Sequence, residues 1–167
     1  MNPLDTPIGF SSTFLFVPGT RPERFAKALD SGADGVIIDL EDAVAEEDKE
    51  SARQAIRSAW PTFTVEQKKR LIIRSNSPGS HFYAADLILA QELNVACLLI
   101  PKSESLDQIN GAAQILPNTA IIPMIESAIG LDRLNEIANS EQVLRLALGN
   151  IDLQADLGMV CDAQETE

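Results

Sequence analysis

The chain has 167 residues, 45% hydrophobic and only 5% aromatic, so one domain with an aliphatic core is expected. Thirteen Lys and Arg against 25 Asp and Glu give a net charge of −12 at pH 7, a field that repels polyanions and argues against nucleic acid. Two cysteines exclude a disulfide scaffold, no apolar run approaches the roughly 20 residues of a membrane span, and Met1–Ser12 lacks a signal-peptide pattern; a soluble cytoplasmic protein is expected.

In chain order, short β-branched runs alternate with segments of helical period. Residues 13–17 (TFLFV) predict strand one, ended by the turn pair Pro18-Gly19, and residues 22–29 predict a helix with Pro22 in its first turn. Residues 35–38 (GVII) predict strand two, followed by a helix over 46–60 that carries Ala52, Ala55, Ile56 and Ala59 on one face. Residues 71–73, 96–100 and 120–122 predict strands three to five, with helices over 84–93, 106–116 and 129–138. Residues 143–148 predict strand six. The runs are apolar throughout, the pattern of strands buried on both faces, and strand ends recur about every 20–35 residues, the spacing of βα units. A parallel sheet of this kind is either an open doubly wound sheet or a (β/α)₈ barrel, and in both the chemistry lies at the carboxyl ends of the strands.

Every predicted strand end carries a polar or ionisable group. Arg21, Arg24 and Lys27 follow strand one, and Asp39, Glu41 and Asp42 follow strand two. Arg74 follows strand three, Lys102 strand four, Glu126 strand five, and Asn150 and Asp152 strand six. Arg74 suits bidentate binding of a carboxylate or enolate, or equally a salt bridge to a neighbouring acid. Glu126 and Asp152 occupy equivalent positions on consecutive units. Two carboxylates, with water and substrate oxygens completing an octahedron, are a common Mg²⁺ site, although acids at helix N-termini also simply answer the helix dipole. Arg21, Arg24 and Lys27 are spaced i, i+3, i+6 at a predicted helix start, where an anion offsets their unfavourable dipole interaction; a solvated cationic face is the alternative. The Asp39, Glu41, Asp42 cluster suits metal-bound water or a general base. His81 is the one histidine and sits in a turn context, so zinc and Cys–His chemistry are excluded. Gly149 and Gly158 read as turn residues, since no nucleotide-binding glycine motif is present.

Six ordered segments together carry a family likeness: Phe14-Leu-Phe-Val-Pro-Gly-Thr-Arg-Pro-Glu-Arg-Phe25, Val36-Ile-Ile-Asp-Leu-Glu-Asp-Ala-Val44, Ile73-Arg-Ser-Asn76, Ile100-Pro-Lys102, Pro123-Met-Ile-Glu-Ser-Ala128 and Leu148-Gly-Asn-Ile-Asp-Leu-Gln-Ala-Asp-Leu-Gly158. They resemble the citrate lyase β-subunit-like family, the group within the HpcH/HpaI aldolase superfamily that includes malyl-CoA lyases. The resemblance implies a TIM-barrel α/β fold, Mg²⁺ as cofactor, and reversible carbon–carbon cleavage of a hydroxyacyl-CoA or related hydroxy acid. It implies Glu126 and Asp152 as metal ligands, with Glu126 also bordering the substrate, and Arg74 as the substrate-binding arginine. It puts Asp39 and Glu41 near the metal's water shell and Arg21, Arg24 and Lys27 in the region that holds CoA phosphates. Ser75 and Ser77 depart from the family's commoner Arg-(Ile/Val)-Asn-(Pro/Ala) run.

The expected partners are a small oxo acid or acyl-CoA and further copies of the chain in a trimer or hexamer, with no membrane. Two alternatives stand beside the CoA-dependent lyase: a CoA-independent aldolase acting on a 2-keto-hydroxy acid, and a catalytically incomplete subunit that binds metal and oxo acid. The length predicts a single domain over 1–167 that holds about six of the eight βα units of a barrel, so it reads as truncated. Residues 1–12 read as an N-terminal extension. Residues 159–167 read as a polar tail stopped within the loop after strand six.

Overall fold

A computed structural model describes residues 6–159. Six strands, β1 (Phe14–Pro18), β2 (Gly35–Asp39), β3 (Leu71–Arg74), β4 (Cys97–Ile100), β5 (Ala120–Ile125) and β6 (Ala147–Leu148), form one sheet in chain order. All five pairings are parallel. Strict sequential order decides between the two architectures left open by the strand pattern. A doubly wound sheet reverses direction at a switch point, whereas a barrel adds each strand beside the last. The sheet accordingly curls into part of a TIM-type barrel.

The crossovers are α1 (Phe25–Leu29), α2 (Lys49–Ala59), α3 (Val65–Lys68), α4 (Tyr83–Leu93), α5 (Leu106–Ile115), α6 (Ala128–Asp132) and α7 (Leu134–Ala138), and α8 (Asn150–Asp156) follows β6. Their boundaries have local causes. Ser105 and Gln108 form a reciprocal capping box at the start of α5, as Thr64 and Gln67 do for α3. Asn94, at φ 48°, ends α4 in the left-handed conformation that asparagine tolerates. No helix among the described residues is long and apolar enough to cross a membrane.

Alternation along the strands sorts the core into two layers. Val36, Ile38, Leu71, Ile73, Leu98, Ile100 and Ile121 point outward and pack on Ala52, Ile56, Leu87, Ala90, Ile109 and Ala112 of the helices. Ile37, Ile72, Cys97, Leu99, Ala120 and Ile122 point into the barrel and pack around Ile8. Each fully buried Ile or Leu contributes roughly 1.5–3 kcal/mol, so both layers matter to stability. The segment expected as an N-terminal extension is therefore part of the core from Thr6 onward: Thr6, Ile8 and Ser11 are all buried, and Thr6 caps a 3-10 turn over Pro7–Phe10.

Several expectations need correction. Strands two to five are buried on both faces, but strands one and six are not: Phe16 is 43% and Leu148 59% exposed, because each lies at an open edge. Strand six is only two residues of regular ladder plus an isolated bridge between Ile121 and Val143. The pairing slips by one residue before Met124 meets Ala147, a bulge at Arg145 and Leu146. Arg145 explains the break, since its guanidinium donates to the carbonyls of Ser11 (2.6 Å) and Ile8 (3.4 Å). The helix expected over 129–138 is two short helices, α6 and α7, divided at Arg133 (φ −97°, ψ 11°), whose guanidinium donates to the Glu104 carbonyl. The helix expected from residue 22 opens as a 3-10 turn, Pro22–Arg24, and only α1 is α-helical. Strand six is followed by α8, and α3 had no counterpart in the sequence pattern. Cys161 and the expected polar tail beyond Met159 lie outside the described residues.

Candidate active site at the carboxyl ends of the strands

In β2 and β3 the inward positions run Ile37, Asp39 and Ile72, Arg74, so the last inward residue of each strand is charged. Their Cα atoms are direct partners in the ladder. That register brings the guanidinium of Arg74 onto the Asp39 carboxylate in a fork, Nε to Oδ1 at 2.7 Å and Nη2 to Oδ2 at 2.5 Å. Both groups are buried. Asp39 also accepts the backbone N–H of Glu41 (2.8 Å) and of Ala43 (3.0 Å), so each of its oxygens has two donors. Arg74 lies beneath the Phe16 ring, with its guanidinium carbon 5.1 Å from the centroid. Its third nitrogen, Nη1, is 3.1 Å from Glu41 and 3.5 Å from Asp42.

Glu41 is held less completely. Its Oε2 is buried without a hydrogen-bond partner, the Arg74 contact being an ion pair off the N–H direction, while Oε1 accepts from Lys102 Nζ at 3.3 Å. Burial pushes its carboxyl up to about 7; Asp42 adds to the rise, and Arg74 and Lys102 oppose it. The backbone beneath is fixed by Lys49, a buried lysine of α2 whose ammonium donates to the carbonyls of Leu40 (2.7 Å) and Glu41 (2.6 Å).

Glu126 follows β5 and is buried. Its Oε2 accepts the backbone N–H of Lys102 at 2.9 Å. Lys102 adopts φ +49°, a left-handed conformation that costs a non-glycine residue about 1 kcal/mol and here turns its N–H onto the carboxylate. Oε1 of Glu126 lies against Gly149, where a Cβ would come within 2.4 Å of it, so glycine is required for the carboxylate to sit there. Burial, and then the negative charge of Asp152, hold the Glu126 carboxyl above the usual range against the Lys102 N–H and the nearby cations. Asp152 stands in the first turn of α8, half exposed, with Oδ2 3.7 Å from Lys102 Nζ. Asp156, one turn later, accepts the backbone N–H of Ala128 at 2.7 Å and ties α8 to the start of α6.

The structure thus brings Asp39, Glu41, Arg74, Glu126 and Asp152 together at one mouth of the barrel. Arg21, Arg24 and Lys27 lie apart on the exposed loop and helix after β1. Arg21 precedes the 3-10 turn, so the three do not share one helical face, and Glu23 pairs with Arg21 (2.6 Å) and Arg24 (3.9 Å). His81 is exposed and stacks on Phe82.

Lys49 is a site residue that sequence reasoning passed over, and Lys102 was given no role there. The Ile-Pro-Lys run placed Lys102 at a strand end, but nothing in it signalled the left-handed turn. A buried ion pair behind the site was also missed: Asp86 of α4 accepts from Arg53 (2.9 Å) and from both the backbone and side-chain amide of Asn76 (2.7 Å each), pinning the loop after Arg74. Among the described residues no three His, Cys, Asp or Glu side chains converge as a metal cage. The donor set instead fits an ion held by two carboxylates and otherwise by water and ligand, the habit of Mg²⁺, with Glu126 Oε1 unbonded in its glycine cradle.

A sequentially wound parallel sheet curled as part of a barrel, with an arginine, a lysine and carboxylates at its carboxyl end, defines a TIM-type α/β architecture. Residues 12–167 match the HpcH/HpaI aldolase/citrate lyase family, and the chain belongs to it. It is 37% identical to a citrate lyase subunit beta-like protein of Mycobacterium tuberculosis over 145 residues, 87% of this chain and 50% of that protein. It is 31% identical to a (3S)-malyl-CoA thioesterase of Cereibacter sphaeroides over 144 residues, 86% of this chain and 50% of that protein. A solved structure of the citrate lyase beta subunit of M. tuberculosis, complexed with oxaloacetate and magnesium, superposes with a TM-score of 0.82 at 34% identity, covering 99% of this chain and 69% of the other. The chain spans about half the length of the curated relatives it matches.

Proposed function

We propose that the protein is a Mg²⁺-dependent carbon–carbon lyase that cleaves or forms a hydroxyacyl-CoA, such as citryl-CoA or malyl-CoA, by aldol-type chemistry. The observation that carries this reading is the convergence at one barrel mouth of Arg74, paired with Asp39 and Glu41, and of Glu126 and Asp152, which reach Glu41 through Lys102. It is supported by the magnesium and oxaloacetate in the M. tuberculosis relative's structure and by the CoA thioester in the C. sphaeroides relative's name.

Glu126 and Asp152 would hold the ion, which would supply Lewis acidity when bound. Asp39 fixes the plane of the Arg74 guanidinium, and Phe16 covers one of its faces. Arg74 orients the substrate carboxylate or enolate oxygen and offsets its negative charge, a contribution of about 3 kcal/mol for a well-placed donor. Glu41, titrating close to neutrality and in contact with Lys102, is the group best suited to hold or release a proton. Arg21, Arg24 and Lys27 serve the CoA phosphates, the first two exchanging Glu23 for the stronger anion. We place the protein in the cytoplasm as a trimer or hexamer.

Incubation of the whole protein with citryl-CoA or malyl-CoA, with and without Mg²⁺, tests the reading. Carbon–carbon cleavage yields an oxo acid and retains the thioester. Hydrolysis, the second reading favoured by the thioesterase relative, releases a free CoA thiol instead. No Mg²⁺-dependent turnover of either thioester, together with pyruvate release from a CoA-free 2-keto-hydroxy acid, selects the CoA-independent aldolase. Mg²⁺-dependent binding of an oxo acid with no turnover at all selects a binding subunit.

A further inference from the structure

One residue touches three carboxylates of the site. Lys102 donates its backbone N–H to Glu126 (2.9 Å), and its ammonium lies 3.3 Å from Glu41 and 3.7 Å from Asp152. Among the described residues it is the only Lys or Arg in ion-pair range of Asp152. Its side chain is 45% exposed, so the ammonium has a free path to solvent, whereas the N–H is fixed by the left-handed backbone at φ +49°.

We propose that the Lys102 ammonium is an internal counter-cation which a divalent ion must displace from Asp152, so that Lys102 sets the metal affinity of the site. The inference rests on the reading of Glu126 and Asp152 as the metal-holding pair. An ammonium and a divalent ion on one carboxylate repel each other at short range, and the partly solvated, mobile lysine is the one that yields. The two functions of Lys102 are separable. Its N–H orients Glu126 whatever the side chain is, while its charge opposes the incoming ion. Five carboxylates (Asp39, Glu41, Asp42, Glu126 and Asp152) face three cations (Arg74, Lys102 and, on the β2 side, the buried Lys49), so the cluster still has negative charge to spare when Lys102 leaves. The same lysine keeps Asp152 and Glu41 paired until the metal arrives.

The test is titration of Mg²⁺, by calorimetry at constant ionic strength, into the wild-type protein and the variants Lys102→Met, Lys102→Gly, Lys102→Arg and Glu126→Gln. Removal of the charge in Lys102→Met is expected to tighten binding roughly 5- to 100-fold. Lys102→Gly, which keeps the left-handed turn at no steric cost, tightens it likewise, and Lys102→Arg stays near wild type. In the wild type, reductive methylation read by mass spectrometry finds Lys102 more reactive when Mg²⁺ is present. Unchanged or weaker binding in both uncharged variants, with thermal melting intact and Lys102 reactivity insensitive to Mg²⁺, overturns the proposal while leaving the metal site standing. Equal Mg²⁺ binding by wild type and Glu126→Gln, or none by any of the proteins, removes the metal reading and the proposal with it.

Discussion

The β2–β3 corner and the β5–β6 corner occupy the same end of one sheet and are built in opposite ways. At β2–β3, Asp39 and Arg74 are buried ladder partners, and both oxygens of the aspartate are fully bonded. At β5–β6, Glu126 has one firm donor and Asp152 is half exposed, 3.7 Å from a half-exposed ammonium. The Asp39–Arg74 pair is complete as it stands and orients a guanidinium. The second corner is held by fewer and longer contacts. On the proposed reading, rigid orientation of the arginine and exchangeable coordination of an ion are what a Lewis-acid-assisted aldol site would need from its two halves.

The sharpest way to break this contrast is at Arg74. Replacement by Met in the whole protein is expected to lower Mg²⁺-dependent turnover by about 10²–10³-fold, read from steady-state kinetics, while Mg²⁺ affinity stays within a few-fold of wild type. Asp39→Asn, next in size, leaves the buried guanidinium with only Glu41 and Asp42. A loss of about 3 kcal/mol in denaturant unfolding is expected. For a chain of this size that corresponds to roughly 6–12 °C in Tm. An equal loss on Asp152→Asn would erase the distinction between the corners.

Gly149→Ala acts on the other corner. The added methyl occupies the place of Glu126 Oε1, so Mg²⁺ affinity measured by calorimetry is expected to fall by about 10–100-fold with little change at Arg74. The smallest effect concerns Glu41. Its folded pKa, about 7, lies above the ordinary 4.5, so folding favours the protonated form. The associated stability is fully present below about 4.5 and is lost as pH rises to 7 and beyond. Glu41→Gln is therefore expected to match wild type near pH 4.5 and to exceed it at pH 8 by on the order of 1–3 kcal/mol in denaturant unfolding, both proteins being free of divalent ions.

Much of the frame was legible in the sequence because strand ends in a parallel sheet announce themselves: an aliphatic run stops and a charged residue follows. Asp39, Arg74 and Glu126 were found that way. What stayed hidden depends on contacts distant in the chain. Arg145 breaks strand six because it reaches Ser11, 134 residues away, and an apolar run cannot reveal that tether. The support of the β3 loop by Arg53, Asp86 and Asn76 is likewise spread over two helices. Lys102 was visible as a residue but not as a hub, since its role rests on a left-handed turn that lysine propensity does not suggest. Gly149 read as a turn glycine, yet its lack of a side chain serves Glu126, 23 positions earlier.

Mg²⁺ titration of three proteins tests the central claim most directly: wild type, Glu126→Gln and Arg74→Met. The account predicts one ion per chain in the wild type, loss of binding in Glu126→Gln, and near-wild-type binding in Arg74→Met. Loss of binding in Arg74→Met with retention in Glu126→Gln would contradict it, because the two corners would then have exchanged roles.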